Sequence, residues 1–206
     1  GTIIGGEYIT VGDSTLKAIG EIGGVKVQAQ QAAVLDAGAD IVNSSIEGYT
    51  VDLDAGGNIS ITVVEAQTSA DLYAQNNISG SSVTAGGAVT ITAKDGTIHG
   101  TTALGGSTMD LAANIEIDGS AFTSTGTMTV KAEDLAESSF ISVAGDINVG
   151  TVANIIDSTI WAKAGAVTIA DVTEELDGST VSAATNLTVS AEWVVGSSLI
   201  AENGLL

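Results

Sequence analysis

From Ala88 to Gly204 the chain repeats itself about every twenty residues. The segments AVTITAKDGTIHGTTALGG, STMDLAANIEIDGSAFTSTG, TMTVKAEDLAESSFISVAG, DINVGTVANIIDSTIWAKAG, AVTIADVTEELDGSTVSAAT and NLTVSAEWVVGSSLIAENG align end to end. Each opens with alternating apolar and polar residues, passes a turn marked by Ser or Thr, and closes on a small residue. A fixed period of this length signals a solenoid, in which no unit buries its apolar face without its neighbours.

The alternation sets the inward positions. The first inward residue of each coil is placed at Ile3, Val25, Val51, Leu72, Val89, Met109, Met128, Ile147, Val167 and Leu187. The next inward residue comes two positions later, from Gly5 and Val27 through Leu53, Ala74 and Ile91 to Val189. Spacing is tight from Leu72 onward and looser before it. The loosest coil is read as carrying an inserted loop or helical turn over residues 28–40 (QAQQAAVLDAGAD).

A turn about ten residues on gives the second marker. It reads Asp13-Ser14-Thr15, Asn43-Ser44-Ser45, Gly80-Ser81-Ser82, and so on to Gly196-Ser197-Ser198, with Thr62 alone in the third coil. Gly, Asn and Asp tolerate positive φ, and the hydroxyls can satisfy corner backbone groups. Leu16, Ile46, Val83, Phe122, Phe140, Ile160, Val181 and Leu199 follow these turns and start a second face. Ile41, Ile59, Ile78, Ile98, Ile117, Leu135, Ile156, Leu176 and Val194 precede them and give a third. The expected fold is all-β. It is one parallel β-helix over residues 1–206, of about ten coils of ~20 residues, right-handed by the default for parallel connections. A two-sheet sandwich leaves the fixed register of the Ser/Thr corner unexplained.

Charge then narrows the function. Twenty-five carboxylates face five lysines and no arginine, for a net charge of −20. Nucleic acid requires a basic footprint, and an anionic membrane surface requires the same. No apolar run approaches the ~18 residues of a membrane span. With no cysteine and one histidine, neither a thiolate zinc site nor a Ser-His-Asp set is available. His99 follows inward Ile98 and is read as outward-facing. The paired glycines Gly56-Gly57, Gly86-Gly87 and Gly105-Gly106 are read as corners rather than phosphate cradles.

The carboxylates lie between the first strand of a coil and its Ser/Thr corner. Glu116, Asp118, Glu133, Asp134, Glu174 and Glu175 are therefore candidates for an acidic stripe that a divalent cation would bridge through oxygen ligands. No other cofactor is expected. The outward threonines Thr90, Thr129, Thr168 and Thr188 form one file, but the file beside them reads Thr92, Ala112, Lys131, Gly150, Ala170 and Ser190, so a doubled ice-binding array is not expected. Trp161 lies between inward Ile160 and Ala162. It is read as an exposed contact residue, suited to a glycan or cell-surface partner.

The run GGAVTITAKDGTIHGTTALGGSTMDLAANIEIDGS, with NLTVSAE further on, resembles the repeats of filamentous-haemagglutinin-type secreted β-helices. That resemblance implies a secreted or cell-surface fibre with a structural or adhesive role. The opening GTIIGGEYITVGDSTLKAIGEIGGVKV is similar to the solenoid segment of the flagellar assembly protein A family, which implies a cytoplasmic scaffold. The apolar start Thr2, Ile3 and Ile4 already sits in register, and Leu205 and Leu206 read as the start of a further coil. These five residues are the expected assembly ends of a chain whose partner is itself, joined head to tail. The overall expectation is a structural protein, not an enzyme, located outside the cell or at its surface, with the cytoplasm as the alternative.

Overall fold

The computed structural model describes residues 1–205. Among them are 27 strands and no helix, all joined by parallel pairing into one continuous sheet. The sheet winds into a β-solenoid of about ten turns of about 19 residues. Three ladders run along it, one per face.

The first face is a file of branched apolar residues. Ile3 pairs with Ile22, Ile22 with Ile41, and Ile41 with Ile59. The file continues through Ile78, Ile98, Ile117, Leu135, Ile155 and Leu176 to Val194. Between Ile22 and Leu176 every member is fully buried. β-branched side chains suit this position because they fill a pleated surface with little loss of rotamer freedom.

On the second face, Tyr8 pairs with Val27 and the file runs through Ile46, Val64, Val83 and Ala103 to Phe122 and Phe140. The two phenyl rings stack at 5.6 Å with an interplanar angle of 20°. The third face carries a leucine-rich file, Leu16, Leu35, Leu53 and Leu72, continued by Ile91, Leu111, Val130, Val149, Ile169 and Val189.

The corner between the first and second faces is built the same way in coil after coil. Its leading residue has positive φ: Gly24, Asn43, Ile61, Gly80, Gly100, Gly119, Glu137, Asp157, Gly178 and Gly196 lie between 47° and 64°. The residue after it is most often a Ser or Thr whose hydroxyl is directed inward. The amides of Thr101, Ser120, Ser138, Ser158 and Ser179 donate to the hydroxyls of Ser120, Ser138, Ser158, Ser179 and Ser197, each one coil on, at 3.0–3.2 Å. Hydroxyls replace the carbonyl partners that a sharp corner removes from the ladder. Among the described residues, no buried side-chain nitrogen or oxygen lacks a hydrogen-bond partner.

Five sequence expectations are corrected. Residues 28–40 are not an inserted loop. Strands Lys26–Ala29 and Ala32–Ala37 occupy most of that span and pair in register on both sides. The N-terminal coils are therefore as regular as the rest. Val25, taken as the first inward residue of a strand, is instead the corner residue after Gly24, in the place that Ser or Thr holds elsewhere. Leu72 is the second inward residue on the third face of its coil, since Ala70 pairs with Val89. Likewise Asp13-Ser14-Thr15 is not a corner of the Ser/Thr type. Ser14 opens strand Ser14–Ala18 and is buried, and Leu16 belongs to the third face. On the first face the inward residue is Ile155, and Ile156 points out.

Candidate functional site

Of the residues expected to form an acidic stripe, Glu116 and Asp134 stack directly, and Asn154 separates Asp134 from Glu175. The residues just before the first-face file stack in register as Glu116, Asp134, Asn154 and Glu175. Their hydrogen bonds show how the charges are accommodated. Asp134 Oδ1 accepts both the backbone and the side-chain amide of Asn154 at 3.0 Å, and the same Asn154 Nδ2 donates to Glu174 Oε2 at 3.1 Å. An amide thus sits between two carboxylates. Asp118 Oδ2 lies 2.9 Å from Nδ1 of His99, which is solvent-exposed as read. Burial pushes the Glu116 carboxyl above its ordinary range; Asp118 and Asp134 push it the same way, and His99 opposes them. Glu133 is exposed. Among the described residues, no group of three or more His, Cys, Asp or Glu side chains is arranged to hold a metal ion.

A second carboxylate group escaped the sequence reading because its members belong to three different coils. On the third face Asp36 pairs with Asp54, and Asp52 pairs with Asp71. Asp52 and Asp54 are also alternate residues of one strand, so all four project from the same patch. Lys17 reaches Asp36 at 3.0 Å. Burial raises the pKa of Asp52, helped by Asp54 and Asp36, and burial raises that of Asp71, helped by Asp52 and Asp54.

The second face differs in character. Its strands from Ser82–Ala85 to Ser198–Ala201 read SVTA, TALG, AFTS, SFIS, TIWA, TVSA and SLIA, with no charged residue among them. Trp161 stands here and points outward, as expected. Lys163 lies over its ring at 4.7 Å from the centroid, a cation–π contact. Trp161 shares an outward file with Leu104, Thr123, Ile141 and Ile200.

At the two ends of the rod the core files lose their cover. Ile3 is half-buried, its amide donating to the Glu21 carbonyl at 2.9 Å, while Thr2 and Ile4 are exposed. Ile9 and Ile19 are also exposed there. At the other end an open cavity of about 390 Å³ is lined by Asn186, Leu187, Thr188, Val189, Leu199 and Leu205. Leu205 takes the place that Asn186 holds one coil earlier, just before the third-face strand. Its carbonyl accepts the Leu187 amide at 2.9 Å, and its own amide donates to Asn186 Oδ1 at 3.3 Å. Leu206 lies outside the described residues. No helix among the described residues is long and apolar enough to cross a membrane.

Compared with known protein families, curated proteins and solved structures, the chain matches none.

Proposed function

We propose that this chain is a structural, non-enzymatic subunit that stacks end to end into a filament outside the cell or at its surface. One observation carries the reading. The first and last described coils have the same three faces, the same inward files and the same chain direction. Ile3, Tyr8 and Leu16 at one end belong to the files of Val194, Leu199 and Val189 at the other. Seating the first coil of one copy on the last coil of another extends parallel ladders already in use. It also covers the apolar residues around the 390 Å³ opening, Leu199 and Leu205 among them. Such a contact is heterologous and does not close on itself, so it propagates.

The net charge of −20 suits this role. Like charge along the sides disfavours bundling, while the ends attach through backbone pairing and apolar contact. The likeness of the repeats to filamentous-haemagglutinin-type β-helices supports a location outside the cell.

Negative-stain microscopy of the purified chain tests the proposal. Rods longer than the roughly 48 Å of ten coils, lengthening with protein concentration, are the expected result. Particles that stay single at high concentration, with and without calcium, overturn it.

A further inference from the structure

Asn203 is the one asparagine of this chain that a glycine follows. Asn58, Asn77, Asn114, Asn148, Asn154 and Asn186 each precede Ile, Val or Leu, whose bulk shields the next amide. The amides of Ile59, Ile78, Ile115 and Leu187, which follow four of these, also donate to carbonyls of adjoining coils. The Gly204 amide has no such partner among the described residues, and both Asn203 and Gly204 are exposed. Packing imposes the glycine. A methyl group at position 204 would overlap the Thr185 carbonyl oxygen, so this corner has no room for a larger residue that would shield the amide.

We infer that Asn203 is a self-modification site, at which the Gly204 nitrogen turns the side-chain amide into an acid and so loosens the last described turn. With no Cβ beside it, that nitrogen has open access to Asn203 Cγ. The N–Cγ bond forms and closes a cyclic imide. The Cγ–Nδ2 bond breaks, and Nδ2 leaves as ammonia with the proton from the Gly204 nitrogen. Water then opens the imide. Cleavage at Cγ gives aspartate. Cleavage at the main-chain carbonyl gives isoaspartate, whose backbone runs through Cβ and Cγ and is longer by a methylene. The sum consumes water and releases ammonia. Asp95, Asp118 and Asp177 also precede glycines, but their ionised carboxylates resist nucleophilic attack. Position gives the change its effect. Leu205 accepts the Leu187 amide at 2.9 Å and donates to Asn186 Oδ1 at 3.3 Å. An added methylene two residues earlier carries Leu205 off both partners, and either product sets a new carboxylate beside Glu202. On this surface the next copy seats, so conversion slows growth from it. That slowing rests on the end-to-end reading; the conversion does not.

Purified chain is held at mildly acidic and mildly alkaline pH and followed by peptide mass spectrometry. Conversion is expected at Asn203 several-fold ahead of every other asparagine, faster on the alkaline side, with isoaspartate among the products. Hydrogen exchange at the Leu187 amide, read by NMR, is expected to quicken in converted chains. Asn203→Gln would have to close a larger ring; it is expected to stay unconverted and to keep slow exchange. No conversion at Asn203, conversion no faster than at Asn43, or unchanged exchange at Leu187 overturns the inference. Microscopy of fresh and aged chain reads growth separately. Slower extension of rods by aged chain, but not by aged Asn203→Gln, supports the effect on growth, and equal extension overturns it. Fresh chain that forms no rods overturns the end-to-end reading, while the mass and exchange measurements still decide the conversion.

Discussion

The backbone amide of Ser120 donates to the hydroxyl of Ser138, 3.1 Å away and one coil further along the rod. The Ser138 amide does the same to Ser158 at 3.2 Å. Each of these serines therefore accepts from the coil before and donates its amide to the coil after. Ser138→Ala removes the acceptor and leaves the Ser120 amide buried without a partner. The expected loss is about 1–3 kcal/mol, read by thermal or denaturant unfolding. Ser82→Ala, at the exposed second position of a corner, is expected to change stability by less than about 0.5 kcal/mol.

Ile61 occupies the positive-φ corner position at φ 50°, where several other coils use glycine. A β-branched residue crowds the carbonyl oxygen there, at a cost of about 1–2 kcal/mol. Its side chain is exposed, so little packing is lost on removing it. Ile61→Gly is expected to stabilise the fold by about 1 kcal/mol despite the added freedom of the unfolded chain. Gly80→Ile, the reverse change one coil on, is expected to destabilise it.

Asp52, Asp71 and Glu116 all have carboxyl groups raised from their ordinary values of 3.8, 3.8 and 4.5. The folded state holds these protons more tightly than the unfolded state does. Their effect is therefore a penalty present above the folded pKa values and removed as pH falls through them toward the ordinary values. Mild acidification from pH 7 is expected to raise the melting temperature through these groups. Asp52→Asn and Asp71→Asn should each stabilise the protein at pH 7 by no more than roughly 1 kcal/mol, through the removed cost of partly burying a charge and the relieved repulsion from neighbouring carboxylates. The variants should also flatten the acid-side rise.

Phe122 and Phe140 are fully buried and stacked in the second-face file, beside Ala103. Phe122→Ala leaves two adjacent coils lined by alanine and a cavity that a ladder of fixed spacing cannot close. The expected cost is about 3–5 kcal/mol. Val83→Ala, two coils away, removes less volume and should cost less; denaturant midpoints compare the two.

The C-terminal coils were legible because their strongest signals coincide. Met109 with Leu111, and Val167 with Ile169, place two large inward residues just where the strand begins, and a Gly-Ser or Asp-Ser corner follows. The N-terminal coils break both signals without breaking the fold. The first inward positions of the third face are Ser14, Ala33, Val51 and Ala70; all but Val51 are too small to stand out, and beside Ala70 the larger Leu72 reads as the start of its face. Val25 replaces the corner hydroxyl, so its corner went unread and residues 28–40 looked like an insertion. Ile155 and Ile156 are adjacent, and only the placement of Asp157 at positive φ tells which one faces inward. The candidate surfaces were legible where they follow one strand, as with Trp161. They were hidden where they form across coils. The Asp36, Asp52, Asp54 and Asp71 patch and the uncharged face both depend on lateral register, which no single segment displays.

The corner ladder has a consequence for how such a chain changes length. Ser120 and Ser138 hold equivalent positions with equivalent bonds, so excising the intervening coil, residues 120–137, joins Gly119 to Ser138 as it was joined to Ser120. The seam carries the same backbone geometry as every other corner. Adding or dropping one whole coil at these serines alters the reach of the rod by one coil spacing while keeping the corner hydrogen bond at the seam.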